Sequence, residues 1–334
     1  MKILVLNDTR SENHHGCSRV MNAIDRNLFV RGFKDICYLK LMLRWDLDED
    51  IKRKLLQTDL LIINGEGTLH GNFPHVQSLL NVITFAKSYG VTVALINATL
   101  FNLSQESISK LREVDYLFVR DKASKKLLEL SHIKTFYCPD LAFWEPFPLR
   151  EKVLRSGSAI SDGYGSLRLI SREEMKQDRM TFISINNIDQ NYHQSSKIRK
   201  IIHIFKEVFN VNSLNGQVTK TTHIDFLKLL NTFELVITGR YHIVCMCILM
   251  ETPFKFFESN TPKISFLLKD VGIDVDKFHE NFTILGSSKN SNKANSPKLD
   301  FSSGDLIKIR KFKSDGQILI SKMFNHILSS GSSK

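Results

Sequence analysis

Short apolar runs alternate along this chain with longer stretches in which apolar residues recur every three or four positions. That is the pattern of buried parallel strands followed by helices that cover them. In the first half, strands are predicted at Lys2 to Leu6, Ile36 to Leu41, Leu60 to Ile63, Val91 to Asn97, Tyr116 to Val119 and Thr135 to Cys138. Helical spacing falls between them at Arg19 to Gly32, Leu47 to Gln57, Val76 to Tyr89 and Gln105 to Val114, with another helix led by Ala123 and Ser124. The regular alternation stops at Phe147. Residues 148–179 are charged and rich in Ser and Gly, the composition of a connection.

The alternation then restarts. Strands are predicted at Thr181 to Ile185, Leu235 to Ile237, Phe254 to Phe257 and Phe282 to Leu285, and helices at Ser196 to Phe209, His223 to Asn231 and Ile264 to Val271. Thr261 and Pro262 have the form of N-cap and first helical residue. The stretch IVCMCILM, ended by Pro253, is apolar all round and predicts a helix buried on most sides, with Cys245 and Cys247 as structural residues. A last helix is expected from Gly304, broken near Gly316, and the terminal SSGSSK is left out of the fold. Two successive blocks of this kind predict an α/β protein with two doubly wound, Rossmann-like domains facing a cleft. The expected division is residues 1–147, a connection over 148–179, a second domain over 180–300 and a helical segment over 301–328.

Composition narrows the class. The 334 residues are long enough for two cores, and the net charge of +11 points to acidic partners. No zinc-finger spacing, helix-turn-helix pattern or aromatic-basic RNA-binding signature occurs, so nucleic acid is not the expected partner. The five cysteines lack any CxxC pair, which suggests neither a disulfide framework nor a zinc site and fits a reducing cytoplasm. The apolar opening is cut short by Asn7 and Asp8 before a signal peptide could form. The last helix sets Leu306, Ile307, Ile309, Ile318 and Ile320 beside Lys308, Arg310, Lys311 and Lys313, compatible with core packing or with peripheral contact at the inner face of a membrane.

Candidate chemistry gathers where strands end. After Leu235 to Ile237 come Thr238, Gly239, Arg240, Tyr241 and His242, which put a guanidinium and an imidazole at a helix start, where backbone N–H groups already favour an anion. After Leu60 to Ile63 come Asn64, Gly65, Glu66, Gly67, Thr68, Leu69, His70 and Gly71; the glycines permit close approach of a ligand, and Glu66 is a carboxylate able to take a proton from a hydroxyl. This loop fits neither the dinucleotide fingerprint nor the phosphate-binding P-loop. Arg120 repeats the strand-end guanidinium, and Asp121 is the cap of the next helix. Asp8, His14 and His15 lie in the first strand-to-helix loop, where Gly16 allows a ligand near; no third ligand at metal spacing accompanies the histidines, so no metal is assigned.

Several pieces together resemble the polysaccharide pyruvyltransferase family: Asn13-x-x-Gly16, the glycine loop, Val119-Arg120-Asp121 with Ser124 and Leu127, Cys138-Pro139-Asp140, Thr238 to His242 with Pro253, and Pro262-Lys263 followed by Phe266-Leu267 and Val271-Gly272. They run in order over about residues 1–285. The sequence departs from the family in reading Asn-Gly-Glu-Gly where relatives carry a run of glycines, in Cys17 where an acid is usual, and in lacking an arginine in SINN at 184–187. The resemblance implies a glycosyltransferase-B-like fold and transfer of a pyruvyl group from phosphoenolpyruvate, a donor substrate and not a cofactor, to a sugar hydroxyl pair of a surface glycan or its lipid-linked precursor. On that reading His242 and Glu66 are catalytic, Arg240, Tyr241, Arg120, Gly239, Ser259, Asn260 and Lys263 hold the donor, and Asp8, His14, His15, Asn64, Gly65, Gly67 and His70 line the acceptor side. The rival reading is a glycosyltransferase of the same fold with a nucleotide-sugar donor.

Overall fold

The computed structural model describes residues 1–40, 45–67, 69–145, 153–161, 180–186, 222–280 and 299–329. The helix expected over 196–209 and the strand over 282–285 lie outside them. The protein is α/β, and the chain divides into two compact units, residues 1–11, 20–145 and 313–334 in the first and residues 12–19 and 146–312 in the second.

The first unit is built on a six-stranded sheet of β1 (Ile3–Leu6), β2 (Ile36–Leu39), β3 (Leu60–Asn64), β4 (Thr92–Ala98), β5 (Tyr116–Val119) and β6 (Phe136–Tyr137), in the order β2-β1-β3-β4-β5-β6. Every neighbouring pair is parallel. β1 and β3 are buried along their whole length, which is why they read as unbroken apolar runs. Side-chain caps set the helix starts: Asp48 accepts from Asp50 N and Ile51 N, Ser104 from Ser107 N, and Asp121 from Ser124 N.

From β1 the chain steps outward to β2, then returns past β1 to β3 and continues to β6. The strand order therefore reverses between β1 and β3, and at their carboxyl ends connections leave in opposite directions and open a crevice. Asn7 to Thr9 follow β1 at this point and Asn64 to Gly67 close β3.

The second unit has a four-stranded parallel sheet of β7 (Ser158–Ser161), β8 (Met180–Ile183), β9 (Leu235–Thr238) and β10 (Phe254–Phe256), in the order β10-β9-β7-β8. β7 is an inner strand, although its residues fell within the expected connection: SAIS is only four residues long and too weakly apolar to stand out between Gly157 and Asp162. Here the order reverses between β7 and β9. The helix Tyr241–Met250 that follows β9 has all ten residues buried, as an all-round apolar segment requires.

Two helix expectations shift. Pro262 is the N-cap of the helix Lys263–Val271, one residue later than expected, and the Glu258 carboxylate accepts from Ser265 N. The last helix runs unbroken from Ser303 to Ser329. Gly316 does not break it, because its missing Cβ leaves room for Pro139, whose Cγ would stand 3.1 Å from such an atom. Lys313 onward belongs to the first unit, where Arg31 donates to Ser321 O, Ser321 Oγ and Asn325 Oδ1, and the His326 ring meets Tyr116, Phe118 and Phe136. Among the described residues no helix is long and apolar enough to cross a membrane.

Candidate functional site

In the second unit the site grows out of the β7/β9 reversal. Ser161 and Thr238 end these strands with their hydroxyls 2.5 Å apart, and Thr238 Oγ1 also accepts from Arg240 N at 3.0 Å. Gly239 between them admits the Phe257 ring, since a Cβ there would lie 2.2 Å from Phe257 Cε2. Arg240 is the N-cap of the buried helix, and Tyr241 and His242 form its first turn. This placement turns the helix's amino end, with its partial positive charge, toward the strand ends.

Residues 12–19 belong to this unit, and backbone pairing holds them there: His15 N donates to Ile185 O, and His14 forms an antiparallel bridge with Asn186. The ring of His14 meets that of His242 edge-on at 5.4 Å. Gly16 does leave space, but His242 fills it, for a Cβ at Gly16 would lie 2.3 Å from His242 Cγ.

The charge state of His14 follows from its contacts. Its Nδ1 accepts from Gly16 N at 3.1 Å and Cys17 N at 3.2 Å, capping the helix His15–Phe29. A nitrogen that accepts two N–H groups carries no proton, so the ring is neutral with its hydrogen on Nε2. Burial holds its pKa well below the usual value, and His242, Arg240, His15 and Lys263 push it further down, every one of them basic. His15 is stacked on Phe226 at 4.5 Å, and burial with a contribution from His223 lowers its pKa to about 4. Ser259 donates to Asn260 Oδ1 at an exposed position beside the helix that begins at Lys263.

The first unit presents a different chemistry at its β1/β3 reversal. Glu66 is buried, with Thr9 Oγ1 and Asn64 Nδ2 both 3.4 Å from Oε2. The parallel register of β1 and β3 brings Thr9 alongside Glu66, a proximity that no local pattern displays. Asn7, at φ 66°, donates from Nδ2 to Asn64 O at 2.7 Å and ties the two strand ends together. Gly65 is required by protein packing, since a Cβ would lie 2.6 Å from Ala98 Cβ, while Gly67, at φ +67°, faces open space. His70 sits in a ring cluster with Phe73 and His75. Asp8 is engaged by Arg10 at 2.7 Å, and Arg10 lies over the Tyr38 ring.

Arg120, expected as a second anion clamp, is buried in an ion pair with Asp140 at 2.8 Å and donates to Thr99 Oγ1 at 2.7 Å. Thr99 in turn donates to Asp121, and Asp140 accepts from Ala142 N. This network braces the ends of β4, β5 and β6 around a compensated charge. The sequence placed the guanidinium at a strand end, but the partner carboxylate arrives with Cys138-Pro139-Asp140, twenty residues on. Thr9 and Ser161 also escaped notice, because single hydroxyls carry no pattern of their own. Among the described residues no group of three or more His, Cys, Asp or Glu side chains is arranged to hold a metal.

The chain belongs to the polysaccharide pyruvyl transferase family, whose profile matches residues 7–260 and so spans Glu66, Arg240 and His242. It is a transferase of polysaccharide modification. No curated protein matches it. Among solved structures it is similar to a functionally uncharacterized protein from Klebsiella pneumoniae, at 11% identity and TM-score 0.47 over 80% of this chain and 87% of the other. It is also similar to UDP-GlcNAc 2-epimerase from Neisseria meningitidis bound to UDP-GlcNAc, at 12% identity and TM-score 0.47 over 99% and 100%.

Proposed function

We propose that the protein transfers the pyruvyl group of phosphoenolpyruvate to two hydroxyls of a sugar in a cell-surface glycan or its precursor, leaving a pyruvate ketal and inorganic phosphate. The observation that carries this reading is the amino end of the buried helix Tyr241–Met250, where Arg240 is the N-cap, His242 lies in the first turn and the His14 ring meets His242 edge-on at 5.4 Å. A helix amino end beside a guanidinium favours an anion, and phosphoenolpyruvate offers a phosphate and a carboxylate on three carbons. Ser259 and Asn260 stand just before Lys263 and belong to the donor side of the proposal.

Ketal formation needs a proton on the methylene carbon, attack of one hydroxyl oxygen on the adjacent carbon, and displacement of phosphate by the second hydroxyl. The two hydroxyl protons balance the reaction, one ending in the new methyl group and one leaving with phosphate. His242 is assigned the proton transfer to the methylene, Arg240 the planar pairing of the donor's oxygens, and Glu66 the proton of the acceptor hydroxyl. His14, neutral and bearing its hydrogen on Nε2, is suited to hydrogen-bond an anion without adding charge.

Phosphorus and proton NMR of the protein with phosphoenolpyruvate and a saccharide carrying two neighbouring free hydroxyls test the reaction. Growth of inorganic phosphate together with a ketal methyl resonance is expected. Consumption of a nucleotide sugar with phosphoenolpyruvate untouched would favour glycosyl transfer instead.

A further inference from the structure

Beyond the β3 end, the first unit carries an aromatic cluster that the donor chemistry leaves unused. Phe73 remains 51% exposed and Phe101 36% exposed, while the Phe73 ring stacks on His75 at 5.6 Å and 13°, and His70 meets both rings edge-on at 5.6 and 5.9 Å. A single exposed apolar side chain requires no account, but rings held rigidly in a cluster do.

The rigidity comes from the backbone on both sides. Gly71 N donates to Phe101 O at 2.8 Å, Phe101 N donates to Leu69 O at 3.3 Å, and Asn72 Oδ1 accepts from Ser104 N at 3.1 Å, lacing the loops after β3 and β4 together. Gly71 stands at φ +62°, and a Cβ there would lie 2.9 Å from the Phe73 ring. Phe73 is itself the N-cap of the helix Pro74–Ser88, with Pro74 in the first helical position. The ring therefore loses little freedom when something settles on it, which favours binding.

We infer that Phe73, with His75 and His70, is the platform on which a pyranose ring of the acceptor glycan rests. A pyranose has one face of C–H bonds that an aromatic ring can cover and a rim of hydroxyls that imidazole nitrogens can hydrogen-bond. The platform continues the loop that carries Glu66, the residue assigned to the acceptor hydroxyl, and it belongs to a chain whose family modifies polysaccharides. The inference rests on the saccharide acceptor of the proposed function and is independent of the donor.

Saturation-transfer NMR on the full chain tests it, with methyl β-D-galactopyranoside, methyl β-D-glucopyranoside and methyl β-D-mannopyranoside as probes and cyclohexanemethanol as an apolar control. At least one pyranoside is expected to receive saturation on the C–H protons of a single face. Phe73→Ala should weaken that transfer by up to about tenfold, the range of one aromatic contact, and Phe73→Trp should keep it, both at unchanged melting temperature. Absence of transfer to all three sugars, equal transfer in Phe73→Ala, or stronger ring-dependent transfer to cyclohexanemethanol would each overturn the inference. Failure of phosphoenolpyruvate to bind would remove the donor reading and leave this result standing.

Discussion

At the scale of single residues, the histidines of the first loop show how contacts decide a side chain's task. His14 caps a helix through Nδ1, so the imidazole there does what an asparagine could do and also keeps an N–H at Nε2. His14→Ala should cost about 1 kcal/mol by loss of the cap, and His14→Asn should recover most of it in chemical denaturation. His15 titrates in the opposite sense from a charged surface histidine. Its folded pKa of about 4 lies below the ordinary 6.5, so the unfolded chain binds the extra proton between these values. The stability it contributes is complete above pH 6.5 and lost as pH falls toward 4. Melting temperatures across that window should fall less steeply in His15→Phe, which keeps a ring against Phe226.

At the scale of elements, the strands that read clearly from the sequence are those buried on both faces, β1, β3 and β4, where burial leaves no polar position to blur the run. β7 was missed because SAIS has two small hydroxyl residues in four, and its place inside a sheet comes from β8 and β9 on either side. The strand-end positions of Glu66, Arg240 and His242 were readable, since a glycine-marked turn after a buried strand is a local signal. The partners of those residues were not, because the pairings of Glu66 with Thr9 and of His14 with His242 span long stretches of chain. Arg120 shows the same limit, its ion pair with Asp140 joining residues twenty positions apart. The last helix is a core element over its final turns: Phe324 is fully buried and Ile318 is 52% exposed. Phe324→Ala should therefore cost about 3–5 kcal/mol, whereas Ile318→Ala should stay within about 0.5 kcal/mol, a contrast that denaturant titration can read.

At the scale of the whole molecule, two parallel sheets each reverse their strand order once, and the candidate chemistry of each unit lies at that reversal. The first brings a buried carboxylate, Asn and Thr side chains and an aromatic surface; the second brings basic groups at a helix amino end. The net charge of +11 suits an anionic substrate in kind, and the second reversal places Arg240 and His242 at a helix amino end. The central claim is that this cluster binds phosphoenolpyruvate, and thermal unfolding with added ligand tests it most directly. Phosphoenolpyruvate should raise the melting temperature by mass action and do so more than equimolar inorganic phosphate or UDP-GlcNAc. Arg240→Lys should weaken the shift although the charge is kept, because an ammonium cannot make the planar paired contact. A larger shift with UDP-GlcNAc, or a phosphoenolpyruvate shift unchanged in both Arg240→Lys and His242→Ala, would contradict the account.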